Sequence, residues 1–187
     1  MRYQKLIAGL VLAVAAVSQS SASMMTYVKI IGQKQGWIKG DCTQKGREDL
    51  IMCIAADHDI VSPRDPQSGL PTGKRMHKPF VMTFELSKAT PLLYSALVNN
   101  ENLTSITIQF WTPEIKAVSG VGSEVQSYTV KLVNANIASI RFLKQNIRNP
   151  ELVKYPETVE VSFTYQKIQW TWNDGGITAG DDWENRN

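Results

Sequence analysis

From Thr26 onward, apolar and polar positions trade places with a period of two, the mark of half-buried strands. Residues 26–31 make a first short strand. Residues 48–55 form a nearly continuous apolar run, which predicts a central strand. Phe80, Met82, Phe84 and Leu86 alternate with Val81, Thr83 and Glu85, and Ile106, Ile108 and Phe110 alternate with Thr107, Gln109 and Trp111. Tyr128, Val130 and Leu132 mark another strand, and a further one starts near Asn136 and ends on Ile140 and Phe142. Near the C-terminus Val159, Val161, Phe163 and Tyr165 share a face, after which Ile168, Trp170 and Trp172 carry the apolar side. That slip of phase predicts a β-bulge near Gln166–Lys167, which would also bend the strand.

One segment breaks the alternation. Thr90 is a suitable N-cap and Pro91 suits the first helical position. Leu92, Leu93, Ala96 and Leu97 then fall on one helical face, and Asn99–Asn100 supplies the stop. Seven or more strands with one short helix give a mainly β fold, a barrel or sandwich capped by that helix.

Two connections stand out. Residues 60–79 hold Pro63, Pro66, Gly69, Pro71, Gly73 and Pro79, with Arg64, Lys74, Arg75 and Lys78. So many prolines and glycines argue against regular structure. Loops of this length are uncommon in compact domains and usually functional, so the segment reads as a protruding arm that lies on a partner surface. Residues 173–187 form a Gly- and Asp-rich tail whose Trp183 is expected to dock, because an idle exposed indole is costly.

Residues 1–23 differ from the rest. Arg2 and Lys5 precede an apolar stretch of small residues, and Ser20 and Ala22 sit at −3 and −1 of a cut before Ser23. This has the parts of a secretory signal peptide, and the apolar stretch is shorter than the ~20 residues a membrane span needs. The alternative is that Met24 or Met25 is the true start. The chain thus divides into a leader, 1–23, and a single domain, 24–187. Cys42 and Cys53 pair if the chain crosses an oxidising compartment; otherwise they stay free, with Cys53 buried.

The chain has 187 residues, 20 Lys+Arg and 17 Asp+Glu, a net charge of +3. That is too slight for a nucleic-acid-binding face. Only two His and two Cys are present, and they lack zinc-ligand spacing. Gly69–Lys74 superficially suggests a phosphate loop, but only three residues separate its glycines and Arg75 stands where Ser or Thr is needed. There is no G-x-S-x-G, and His58, between Asp57 and Asp59, reads as a solvated surface residue, while His77 reads as a hydrogen-bonded structural one. Neighbouring carboxylates such as Asp181–Asp182 do not make a glycosidase dyad. Trp111, Trp170 and Trp172 at strand spacing read as core before they read as a ligand platform. No catalytic residue, cofactor site or metal site is expected.

Several stretches, in order, resemble one known family. They are Tyr27-Val-Lys-Ile-Ile-Gly-Gln-Lys-Gln-Gly36, Gly46-Arg-Glu-Asp49, Val61-Ser-Pro-Arg-Asp-Pro-Gln-Ser-Gly69 and Thr72-Gly-Lys-Arg-Met-His-Lys-Pro-Phe80. Thr90-Pro-Leu-Leu-Tyr-Ser-Ala96, Tyr165-Gln-Lys-Ile-Gln-Trp170 and Asp181-Asp-Trp183 follow. Together they resemble the Hcp family, the hemolysin-coregulated tube subunits of bacterial type VI secretion. The resemblance implies a two-sheet β-barrel with a flanking helix, assembled as six-membered rings that stack into a hollow tube. It implies as partners other copies of the chain, a contractile sheath, a spike of the valine-glycine repeat family and small effectors in the lumen, with no nucleic acid. It also implies cytoplasmic assembly and release to the medium.

The matching arm positions are Pro63, Arg64, Pro66, Gly69, Gly73, Lys74, Arg75, His77 and Pro79, the candidate subunit-interface loop. Residues 1–23 lie outside the resemblance, and such tube proteins ordinarily have no Sec leader. The rival reading is a Sec-exported, periplasmic or extracellular β-barrel binding module with no contractile apparatus.

Overall fold

The computed structural model describes residues 25–113 and 124–184. The leader therefore lies outside the described residues. The elements run β1 (Met25–Gly32), β2 (Gly36–Ile38), β3 (Ile51–Asp57), β4 (Ile60–Val61), β5 (Met76–His77), β6 (Phe80–Glu85), α1 (Thr90–Val98), β7 (Leu103–Pro113), β8 (Glu124–Leu143), β9 (Thr158–Trp172) and β10 (Ile177–Asp182).

Six strands close on themselves in the order β9-β6-β3-β1-β7-β8, with β8 pairing back to β9. Every pairing is antiparallel. Closure removes the open edges that a flat sheet would expose. The inward positions are the apolar ones of the alternation: Val28, Ile30, Met82, Phe84, Ile106, Ile108, Leu132, Val161 and Phe163 are all buried. Each such side chain stabilises the fold by roughly 1.5–3 kcal/mol through area removed from water. β2 adds to β1 and β10 to β9 outside the ring.

The mainly β barrel with one short helix is thus as the alternation implied. The predicted central strand sits between β1 and β6, but only one of its faces is dry. Ile51 and Cys53 point in, whereas Met52 and Ile54 are 38% and 48% exposed. The two strands expected either side of residue 134 are one long strand, β8. Asn134 lets it continue, with a positive φ of 50° that Asn tolerates better than most residues.

The phase slip is present, but its cause differs from the predicted bulge. β9 keeps unbroken register with β8 through Gln166–Lys167. The slip is shared: burial passes from Val130 and Leu132 to Ala135 and Ile137 on β8, opposite Trp170, Ile168, Tyr165 and Phe163 on β9. At the same place β9 exchanges its other neighbour, pairing with β6 over 158–163 and with β10 over 167–172. The register shift in this pair falls instead at Ile137/Ser139 of β8.

α1 spans the nine predicted residues and packs beside β8. Its cap is Ala89, not Thr90; Thr90 is the first helical residue and its Oγ1 accepts from the Ser87 amide at 3.1 Å. Leu93 and Ala96 are buried, but Leu92 turns outward. Asn99 caps the C-terminus and Asn100 leaves the helix with a φ of 48°.

Just beyond, Glu101 is buried, and its carboxylate accepts from the Lys34 and Gln35 amides at 2.7 and 2.8 Å and from Gln35 Nε2 at 2.8 Å. This ties the β1–β2 turn to the helix end. Gly32 lies so close that a Cβ there would sit 2.5 Å from Glu101 Oε1. Cys42 and Cys53 are free thiols. Burial pushes the Cys53 thiol up to about 11, so it stays protonated at neutral pH.

Candidate functional site

The arm is a hairpin, contrary to the irregular loop that its prolines suggested. Ile60 pairs with His77 and Val61 with Met76, and Arg64 bridges to Pro71. The prolines fall between the paired amides, where no ladder donor is lost. The tip is tightened by Asp65, whose Oδ1 accepts from the Gln67 and Ser68 amides at 2.9 and 2.7 Å. Gly69 closes the turn at a φ of 71°, a conformation that suits glycine.

The structure divides the nine candidate interface residues. Arg64, Pro66, Gly69, Gly73, Lys74 and Pro79 are exposed along the hairpin, with Pro63 partly covered. Leu70 at the tip is 65% exposed. Arg75 and His77 instead turn back onto their own barrel. Arg75 grips Asp181 of β10 with Nε and Nη2, and Nη2 also donates to the Asp182 carbonyl at 3.1 Å. His77 Nε2 lies 2.8 Å from Asp181 Oδ2, and its Nδ1 lies 2.8 Å from the Tyr165 hydroxyl.

His58 reaches the same hydroxyl. Its Nε2 is 2.6 Å from Tyr165 Oη, and its ring stacks on Phe80 with centroids 4.8 Å apart. It is therefore not the solvated residue that its acidic neighbours suggested. Burial holds its pKa below the usual imidazole value; nearby His77 adds to this, and Asp59 and Asp57 oppose it without prevailing. The Tyr165 phenol is pushed up by burial and by Asp181. Arg75 holds the Asp181 carboxyl below the usual range, against burial and with help from His77. Trp183 closes the cluster, its Nε1 donating to the Tyr165 carbonyl at 2.6 Å. It docks by this bond while its ring stays 57% exposed.

Trp183 stood out in the sequence as an indole expected to dock, and Tyr165 as one of a strand's apolar face, but neither pattern pointed to a shared cluster. Their meeting with His58 and His77 spans about a hundred residues of sequence and has no local signal. A second buried charge was also missed. Arg47 is 6% exposed, between Tyr27 and Trp111, its guanidinium 4.0 Å from the Trp111 ring centre and paired with Glu124. Trp170 packs against the core as core reasoning implied, but Trp111 is partly buried over Arg47 and Trp172 is 44% exposed.

A cleft of about 380 Å³ lined by Arg75, His77, Tyr165 and Trp183 opens beside the cluster. Among the described residues, no group of three or more His, Cys, Asp or Glu is arranged to hold a metal ion. Likewise, among the described residues no helix is long and apolar enough to cross a membrane.

Comparison with known proteins places this geometry. The family described as "Type VI secretion system effector, Hcp" matches residues 27–172. The "Major exported protein" of Pseudomonas aeruginosa is 39% identical over 166 residues, which is 84% of this chain and 94% of that protein. The crystal structure of an Hcp protein superposes with a TM-score of 0.78 at 31% identity, covering 88% of this chain and 100% of the other. Secreted protein Hcp3 from Pseudomonas aeruginosa gives 0.68 at 30% identity, covering 87% and 100%.

Proposed function

The chain belongs to the Hcp family of type VI secretion proteins, and from that premise we propose that it is a tube subunit. Copies form six-membered rings, the rings stack within a contractile sheath behind a spike of the valine-glycine repeat family, and small effectors travel in the lumen. Its role is to make shape with copies of itself, with no turnover of a substrate. The observation that carries this reading is the family match across residues 27–172, joined to a barrel of the same fold as the solved Hcp protein.

The surface is suited to it. A closed ring needs two different faces that complement each other. The hairpin offers one, with Leu70 and Met76 exposed at 65% and 48%. The outer side of β3, with Met52 and Ile54, offers an apolar strand face for another. In this reading Pro63, Arg64, Pro66, Gly69, Gly73, Lys74 and Pro79 meet a neighbouring subunit, while Arg75 and His77 set the angle at which the arm leaves the barrel.

The subunit assembles in the cytoplasm and leaves the cell through the contractile apparatus. The pattern of residues 1–23 favours the second reading, a Sec-exported binding module cut before Ser23 and carrying the domain 24–187. Deleting the sheath gene separates them. The tube reading expects the protein to disappear from the medium and accumulate in the cytoplasm with Met1–Ser23 absent or uncleaved. Continued export with a cleaved N-terminus would support the Sec reading instead.

A further inference from the structure

The proton order in the cluster at the root of the arm follows from its partners. Asp181 is an anion held by Arg75, so it only accepts, and His77 Nε2 carries a hydrogen toward it. When the His77 ring is neutral, its Nδ1 accepts and the Tyr165 hydroxyl donates to it. The hydroxyl oxygen in turn accepts from His58 Nε2. Each link from His58 to Tyr165 to His77 to Asp181 thus holds one hydrogen.

Extra protons upset this order. A proton on His77 Nδ1 turns that acceptor into a donor. Tyr165 must then swing its hydrogen to His58, and His58 must change tautomer to receive it. With both rings charged, the Tyr165 hydrogen has no acceptor in the cluster, and two cations face each other beside Arg75. We propose that this cluster is an acid-released latch, which holds the root of the β4–β5 hairpin to β9 and β10 while both imidazoles are neutral and lets it go when both are protonated.

The surroundings fit that role. Asp57 and Asp59 flank His58, Lys78 follows His77, Arg75 donates to Asp181 and to the Asp182 carbonyl of β10, and the Asp181 charge acts on Tyr165 of β9. Burial and His77 outweigh the two aspartates at His58. The closed form therefore binds a proton at His58 less readily than the open form. Its advantage is full above the ordinary imidazole range and falls as pH drops through that range. The latch does not depend on how subunits assemble. Only its use, setting when the arm is free to meet a neighbouring copy, rests on the tube reading.

Hydrogen–deuterium exchange on the full chain tests it, with rates at about pH 7.5, 6.5 and 5.5 corrected for intrinsic exchange. Peptides covering Met76–Lys78 and Asp181–Trp183 should lose protection about tenfold or more across this range, with β7 unchanged. H58Q/H77Q, whose amides hydrogen-bond without titrating, should give a flat profile. A flat wild-type profile, or the same pH dependence in H58Q/H77Q, overturns the latch. If that variant fails to fold, the wild-type Trp183 indole proton decides by NMR: loss of its protection in step with histidine titration supports the latch, and constant protection overturns it. Particle mass read at each pH keeps the questions apart, because a persistent monomer would sink the tube reading and leave the exchange result standing.

Discussion

Phe163 and Tyr165 lie two residues apart on β9 and serve opposite kinds of structure. Phe163 is fully buried and packs into the barrel through apolar contact alone. Tyr165 is nearly as buried, yet its hydroxyl and carbonyl serve two histidines and an indole at the root of the arm. Apolar packing is insensitive to proton activity and hard to change by small steps. A hydrogen-bonded cluster of titratable groups is directional, and conditions can adjust it. The difference teaches how one chain can join a rigid apolar wall to an arm root held by directional hydrogen bonds.

The comparison breaks first in the barrel. Phe163→Ala should remove a buried ring and leave a cavity, lowering global stability by about 3–5 kcal/mol in chemical denaturation. A loss near zero would mean the barrel is held by something other than its packed interior. Glu101→Gln should come next, costing about 1–3 kcal/mol at neutral pH, because one amide cannot accept from three donors.

That second loss should itself depend on pH. Burial pushes the Glu101 carboxyl up, but the hydrogen bonds from Gln35 and Lys34 together hold it below the usual range. Its contribution is therefore present above the ordinary carboxylate value and is lost as pH falls through the depressed one. The wild-type advantage over E101Q should shrink between about pH 5 and pH 3, while the Phe163→Ala difference stays constant. The smallest effect is expected at the edge of the arm cluster. Trp183→Phe removes one hydrogen bond from a largely exposed ring and should cost about 0.5–1.5 kcal/mol. It should speed exchange at the arm root before it shifts the global unfolding midpoint.

How far the sequence reads through follows the same division. The barrel strands, the helix and its Asn99–Asn100 stop were legible because alternation and helix termination are local signals, whereas β10 read as part of a tail. The phase slip in β9 was legible too, but not its origin, since a change of partner from β6 to β10 cannot be seen in one strand's pattern. The hairpin was hidden because Pro63, Pro66 and Pro71 count against a strand unless one knows which amides pair. His58 looked solvated between two aspartates because nothing local announces Phe80 and Tyr165 above it. Arg47, in a polar stretch, gave no sign that Tyr27 and Trp111 enclose it. In each case the missing information was a contact between distant segments.

Native mass spectrometry of the purified chain at high concentration tests the central claim most directly, with electron micrographs of the same sample. Assembly by shape predicts a mass of six copies and annular particles with six-fold symmetry. A single-copy mass at every concentration, with no annular particles, would contradict it.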